Sequence, residues 1–101
     1  MECVGKTFLI DYGELLIRVR YVSDTTLAWE QLKGPTVGLK AEEHYGFALV
    51  RPKLYFVWWQ EKDTSVVTQV IDLEKRVVHT TWTSPDKKLS AFQGTITLRE
   101  S

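Results

Sequence analysis

The sequence predicts an all-β protein: one domain over residues 1–101, folded as a single antiparallel up-and-down β-barrel of about eight strands. Three observations predict it. Valine, threonine and isoleucine supply 26 of the 101 residues, and branching at Cβ suits a pleated surface better than a helix. Short runs of period-two alternation recur at spacings of roughly 8–12 residues with turn signals between them. No run has the length and caps of a helix. Short links favour neighbouring antiparallel strands, and closure removes the edges that such a chain otherwise exposes. A small sandwich is the alternative.

The elements follow in order. Lys6–Asp11 alternates, with Phe8 and Ile10 on one face, and Tyr12-Gly13 turns the chain. Glu14–Val22 sets Leu15, Ile17, Val19 and Tyr21 against Glu14, Leu16, Arg18 and Arg20. After Ser23-Asp24, the run Thr25–Leu32 places Leu27, Trp29 and Gln31 together, and Lys33-Gly34-Pro35-Thr36 breaks it, since proline cannot donate to a ladder. Val37–Lys40 reads as a connector. Glu42–Val50 resumes with Tyr45, Phe47 and Leu49 on one face, and Gly46 within it predicts a bulge or bend. Leu54–Gln60 is apolar on both faces, so Trp58 and Trp59 must point oppositely. Thr64–Leu73 and Arg76–Thr83 form the next two strands. Ser84–Ala91 reads as a polar loop, and Phe92–Arg99 closes the chain with Phe92, Gly94, Ile96 and Leu98 facing one way.

Charge and composition exclude more than they assign. Thirteen basic residues balance thirteen acidic ones, which removes the electrostatic footprint of a nucleic-acid binder. The single cysteine, Cys3, has no intramolecular partner for a disulfide. No apolar run reaches the roughly 18 residues of a helical membrane span, and Met1–Tyr12 lacks the pattern of a signal peptide. A reduced, cytoplasmic setting is therefore expected, with no cofactor. His44, His79 and Cys3 match no zinc spacing, so no metal is expected. No Gly-x-Ser-x-Gly elbow or phosphate-cradling glycine loop occurs.

The aromatic set carries the functional reading. Twelve of the 101 residues are Phe, Trp or Tyr, and aromatics are ordinary core fillers in small β proteins. An eight-stranded barrel, however, is the size that is either just filled or holds one small ligand. Polar residues also fall beside apolar ones on single faces: Gln31 with Trp29, Glu61 with Trp59, Thr68 with Val66 and Val70, His79 with Val77 and Thr81. A few polar groups converging in an apolar interior describe a ligand site. The expected lining is Tyr21, Trp29, Tyr45, Trp59, Glu61, Thr68 and His79, around a small hydrophobic or aromatic molecule. A second reading is a lyase or isomerase with Glu61 or His79 as acid/base and Arg51 holding a carboxylate. A third is a homodimer buried by outward Phe56, Trp58 and Trp82.

The stretch Leu54-Tyr55-Phe56-Val57-Trp58-Trp59-Gln60-Glu61, followed by Val66-Val67-Thr68-Gln69-Val70-Ile71-Asp72-Leu73, resembles the MoaF-like proteins. So do Gly5–Gly13 and the segment Glu43-His44-Tyr45. The resemblance covers most of the chain. It implies a lipocalin-like (calycin) barrel, binding of a small apolar or aromatic molecule, and an association with molybdenum cofactor loci. Carried over by position, Tyr45, Trp59, Glu61, Thr68 and Asp72 match the family pattern. Phenolic acid decarboxylases share a barrel of this kind, but their pocket set of tyrosines, arginine and glutamate is not recognisable here.

Overall fold

The computed structural model describes residues 1–99; residues 100–101 of the expected domain lie outside the described residues. Eight strands follow one another: β1 (Thr7–Asp11), β2 (Leu16–Tyr21), β3 (Thr26–Lys33), β4 (Lys40–Arg51), β5 (Leu54–Gln60), β6 (Val66–Asp72), β7 (Val77–Thr83) and β8 (Leu89–Arg99). Each pairs with its sequence neighbours, and β8 pairs back onto β1 to close the barrel. The up-and-down barrel is thus as predicted. Two strands start early: β4 takes in Lys40 and Ala41, and β8 takes in Leu89–Ala91, because cross-strand partners hold residues that look loop-like in isolation.

Gly46 is not a bulge. It stays in regular register opposite Trp58, and the irregularity falls between Leu49 and Arg51. A Cβ on Gly46 would lie 2.5 Å from the Trp58 indole, so the glycine makes room for that ring.

Call the upper end the one where the odd-numbered strands finish and the even-numbered ones begin. The lower end is plugged by aromatic rings and the N-terminal segment, which leave a cavity of about 310 Å³ beside Cys3, Phe8, Leu73 and Ile96. Phe8, Tyr21, Tyr45, Phe47 and Tyr55 form a chain of ring contacts with centroids 5.5–6.2 Å apart, most of them edge-on, the arrangement the ring quadrupole favours. Beneath them the N-terminal segment acts as a stopper. Gly5 donates its N–H to the Tyr21 carbonyl (2.8 Å), the Tyr55 hydroxyl donates to Glu2 Oε1 (3.1 Å), and Lys53 pairs with Glu2 (2.7 Å). Cys3 is buried there, and desolvation pushes its thiol up to about 11. Above this floor Ile10, Leu27, Val57, Ile71 and Val78 fill the middle of the barrel.

Candidate functional site

Cross-strand register decides which side chains face inward, since successive residues alternate between the two sides of the wall. Trp59 pairs with Val67, Val67 with Trp82, and Trp82 with Ser90. Val57 pairs with Gln69, Gln69 with Thr80, and Thr80 with Phe92. All of these share the face of the buried Val57 and so point into the barrel. Toward the lower end, the inward Phe8, Tyr21 and Ile96 are at most 5% exposed. At the upper end, Trp82 and Phe92 point inward yet keep 36% and 39% of their surface exposed. The barrel therefore opens at this end into an aromatic-walled cup.

Two carboxyls stand in the wall of that cup. Glu43, on β4 opposite Leu27, and Glu61, just past the end of β5, bring their carboxyls close enough to interact. The Trp29 indole N–H donates to Glu43 Oε2 (2.9 Å), and that of Trp59 donates to Glu61 Oε2 (3.2 Å). Glu43 is 6% exposed. Among the described residues neither carboxyl has a cationic partner. Burial pushes the Glu61 carboxyl above its ordinary value; the Trp59 N–H opposes this, while nearby Glu43 and Asp63 add to the rise. Farther round the rim, the Tyr12 and Thr80 hydroxyls share a hydrogen bond of 2.6 Å, and Tyr12 packs edge-on against Phe92. Gln69 lies 5% exposed with its Oε1 lacking a protein partner.

The raised Glu61 carboxyl fixes the sign of one pH effect. A carboxyl whose folded-state value lies above its unfolded value near 4.5 favours folding when protonated. That contribution is complete below the unfolded value and is lost as pH rises through the folded one. Glu61→Gln is therefore expected to raise Tm at pH 7 by a few degrees, the gain shrinking toward pH 4. Thermal melts of both proteins across that range check it, and an equal shift at every pH would count against it.

The expected lining residues separate into three groups. Trp29, Trp59 and Glu61 meet in the cup. Tyr21 and Tyr45 face inward but lie in the lower floor; Tyr45 donates its hydroxyl to the Ser23 carbonyl (2.6 Å). Thr68 and His79 do not line the interior. Register puts both on the outer wall, where His79 is exposed beside Val70 and Thr68 shares a hydrogen bond with Thr81. Faces of mixed polarity on β6 and β7 gave the wrong parity there. Arg51 pairs with Asp72 (3.7 Å) at the lower end, the opposite end of β5 from Glu61. Trp82 belongs to the inward set, leaving Phe56 and Trp58 packed at a tilt on the outer wall, with centroids 5.2 Å apart. Asp72 accepts the Lys75 and Glu74 N–H groups of its turn.

Sequence reasoning missed Glu43, Gln69, Trp82 and Phe92 as parts of the cup. Extending the Tyr45–Phe47 alternation back by one step finds Glu43. A groove of about 620 Å³ also runs along the outside of β1–β4, among Arg18, Arg20, Glu30, Lys40 and Glu42, and reaches Trp29; it is open and charged.

A family model for MoaF-like proteins matches residues 4–97. The chain belongs to the MoaF-like family. Sixteen chains of solved structure match this MoaF-like barrel. One is the crystal structure of a "putative beta-lactamase from Burkholderia vietnamiensis", 25% identical, covering 95% of this chain and 94% of that one at a TM-score of 0.91. No curated protein matches the chain.

Proposed function

We propose that this MoaF-like barrel binds a small, mostly apolar or aromatic molecule in the cup at its upper end, a lipocalin-like use of the fold. The observation that carries this is the exposure of the inward-facing Trp82 and Phe92. Aromatic surface left wet beside buried polar groups is the composition of a ligand site. A molybdopterin, which bears a phosphate and is anionic, suits the cup poorly, because Glu43 and Glu61 face it.

Titration with neutral, anionic and cationic aromatic molecules, followed by tryptophan fluorescence, tests the proposal. At least one is expected to bind saturably at one per chain, and Trp82→Ala with Phe92→Ala is expected to weaken it while Trp58→Ala does not. No saturable binding, or sensitivity to Trp58→Ala alone, overturns it.

The carboxyl pair favours a second reading, in which Glu61 moves a proton on the bound molecule; His79, on the outer wall, has no part in it. The activity in the Burkholderia protein's description gains no such support. Ser84-Pro85-Asp86-Lys87 has the Ser-x-x-Lys spacing of a serine β-lactamase. It occupies the turn between β7 and β8, with Ser84 Oγ hydrogen-bonded to Asp86 and Lys87 exposed at a φ of 66°. A turn of this kind does not bring the two side chains onto one helical face as the motif requires.

A further inference from the structure

The donors and acceptors of the cup are unequal. Its carboxyls, Glu43 and Glu61, present four oxygens, of which two receive an indole N–H. The buried Gln69 Oε1 is a further acceptor with no partner. The indole donors of Trp29 and Trp59 are already engaged. Gln31 Nε2, a buried donor without a partner, is turned against Gly34 in the β3–β4 link, which leaves the half-exposed Trp82 indole N–H as a neutral donor at the mouth of the cup.

Two carboxylates close enough to interact destabilise the wall, and burial without a cation adds to that cost. A site organised this way lacks a positive, donor-rich group. An ammonium or amidinium would supply charge-assisted hydrogen bonds to both carboxyls. Its surroundings suit it as well, since indole faces attract a cation placed over them.

We propose that the cup is selective for an organic cation: an amine or amidinium on an aromatic or apolar body, its positive head between Glu43 and Glu61 and its body against Trp82 and Phe92. This inference rests on the cup being the binding site and adds the charge of the ligand. A neutral or anionic aromatic would leave the carboxyl pair uncompensated, so charge becomes the basis of selection.

The test holds the ligand body constant and varies its charge. Tryptamine, tryptophol and indole-3-acetate are titrated calorimetrically against the full chain, with phenethylamine and benzamidine as further cations. The cations are expected to bind about tenfold or more tightly than the neutral and anionic partners, as charge-assisted hydrogen bonds require. Replacing both carboxyls (Glu43→Gln with Glu61→Gln) is expected to remove that preference, so that tryptamine binds no more tightly than tryptophol, with circular dichroism confirming the fold. If tryptophol or indole-3-acetate binds as tightly as tryptamine, the cation inference fails and the binding reading stands. If no member binds, both fail. If the preference survives the double substitution, the carboxyl pair is not its source and the inference is overturned.

Discussion

Tyr21→Ala is expected to cost about 3–5 kcal/mol, the range for truncating a buried aromatic, whereas Tyr21→Phe is expected to leave stability unchanged or raise it. Tyr21 is 0% exposed and meets Phe8 and Tyr45 edge-on, with centroids 6.0 Å and 5.5 Å away. Its backbone receives Gly5 N–H and donates to the Lys6 carbonyl, so the floor of the barrel and the N-terminal stopper both converge on it. Truncation removes a ring that the surrounding rigid wall cannot replace. The hydroxyl behaves differently. It is fully buried with no hydrogen-bond partner, and desolvation holds the phenol well above its ordinary value. An unsatisfied buried hydroxyl costs about 1–3 kcal/mol, and phenylalanine deletes it while keeping the ring. Urea unfolding monitored by tryptophan fluorescence separates the two. A loss above about 1 kcal/mol for Tyr21→Phe would mean that the hydroxyl is satisfied, for example by a buried water.

The strands were legible because β1–β4 carry faces of unequal hydropathy, and β5, apolar on both faces, is bounded by turn signals. On β2, Val19 with Tyr21 alternates against Arg18 and Arg20, so period and burial agree. Closure was legible too, from the short links. The cup was only half legible. On β6, Val67 and Ile71 compete with Val66 and Val70; on β7, Val78 and Thr80 compete with Val77 and Thr81. With equal hydropathy on both faces, a one-residue choice of parity cannot be made within the strand. It is made by pairing: the turn from Glu61 to Ser65 fixes Trp59 opposite Val67, and every inward residue of β6, β7 and β8 follows from that match. This is why His79 was placed inside and Trp82 outside. Glu43 was hidden for a different reason, since a charged residue on an apolar face reads as the end of a strand until its cross-strand neighbour proves to be the buried Leu27.

Gly94→Ala is expected to cost about 1–3 kcal/mol, the range for overpacking a filled site, although it adds one methyl group. Gly94 lies on the inner face of β8 opposite Val78, close to the seam where β8 closes onto β1. A Cβ there would stand 2.7 Å from the Asp11 carbonyl oxygen and 2.8 Å from Tyr12 Cδ1. The first obstacle is backbone and cannot turn aside. To admit the methyl, β1 must move from β8, straining the Ile10–Ile96 pairing that completes the barrel. The second obstacle links the seam to the cup, because Tyr12 holds Thr80 and packs on Phe92. Gly46→Ala is the control. Its methyl would approach the Trp58 indole even more closely, at 2.5 Å, but Trp58 is 40% exposed on the outer wall and can swing into solvent. Distance alone ranks Gly46 as the worse site, while the mobility of the obstacle ranks Gly94 as worse, and mobility is expected to win. Urea midpoints for the two variants decide it, with hydrogen exchange of the β1 amides showing whether the seam is what loosens. A Gly94→Ala protein as stable as Gly46→Ala would mean that β1 yields freely and that closure is not the rigid element of this barrel.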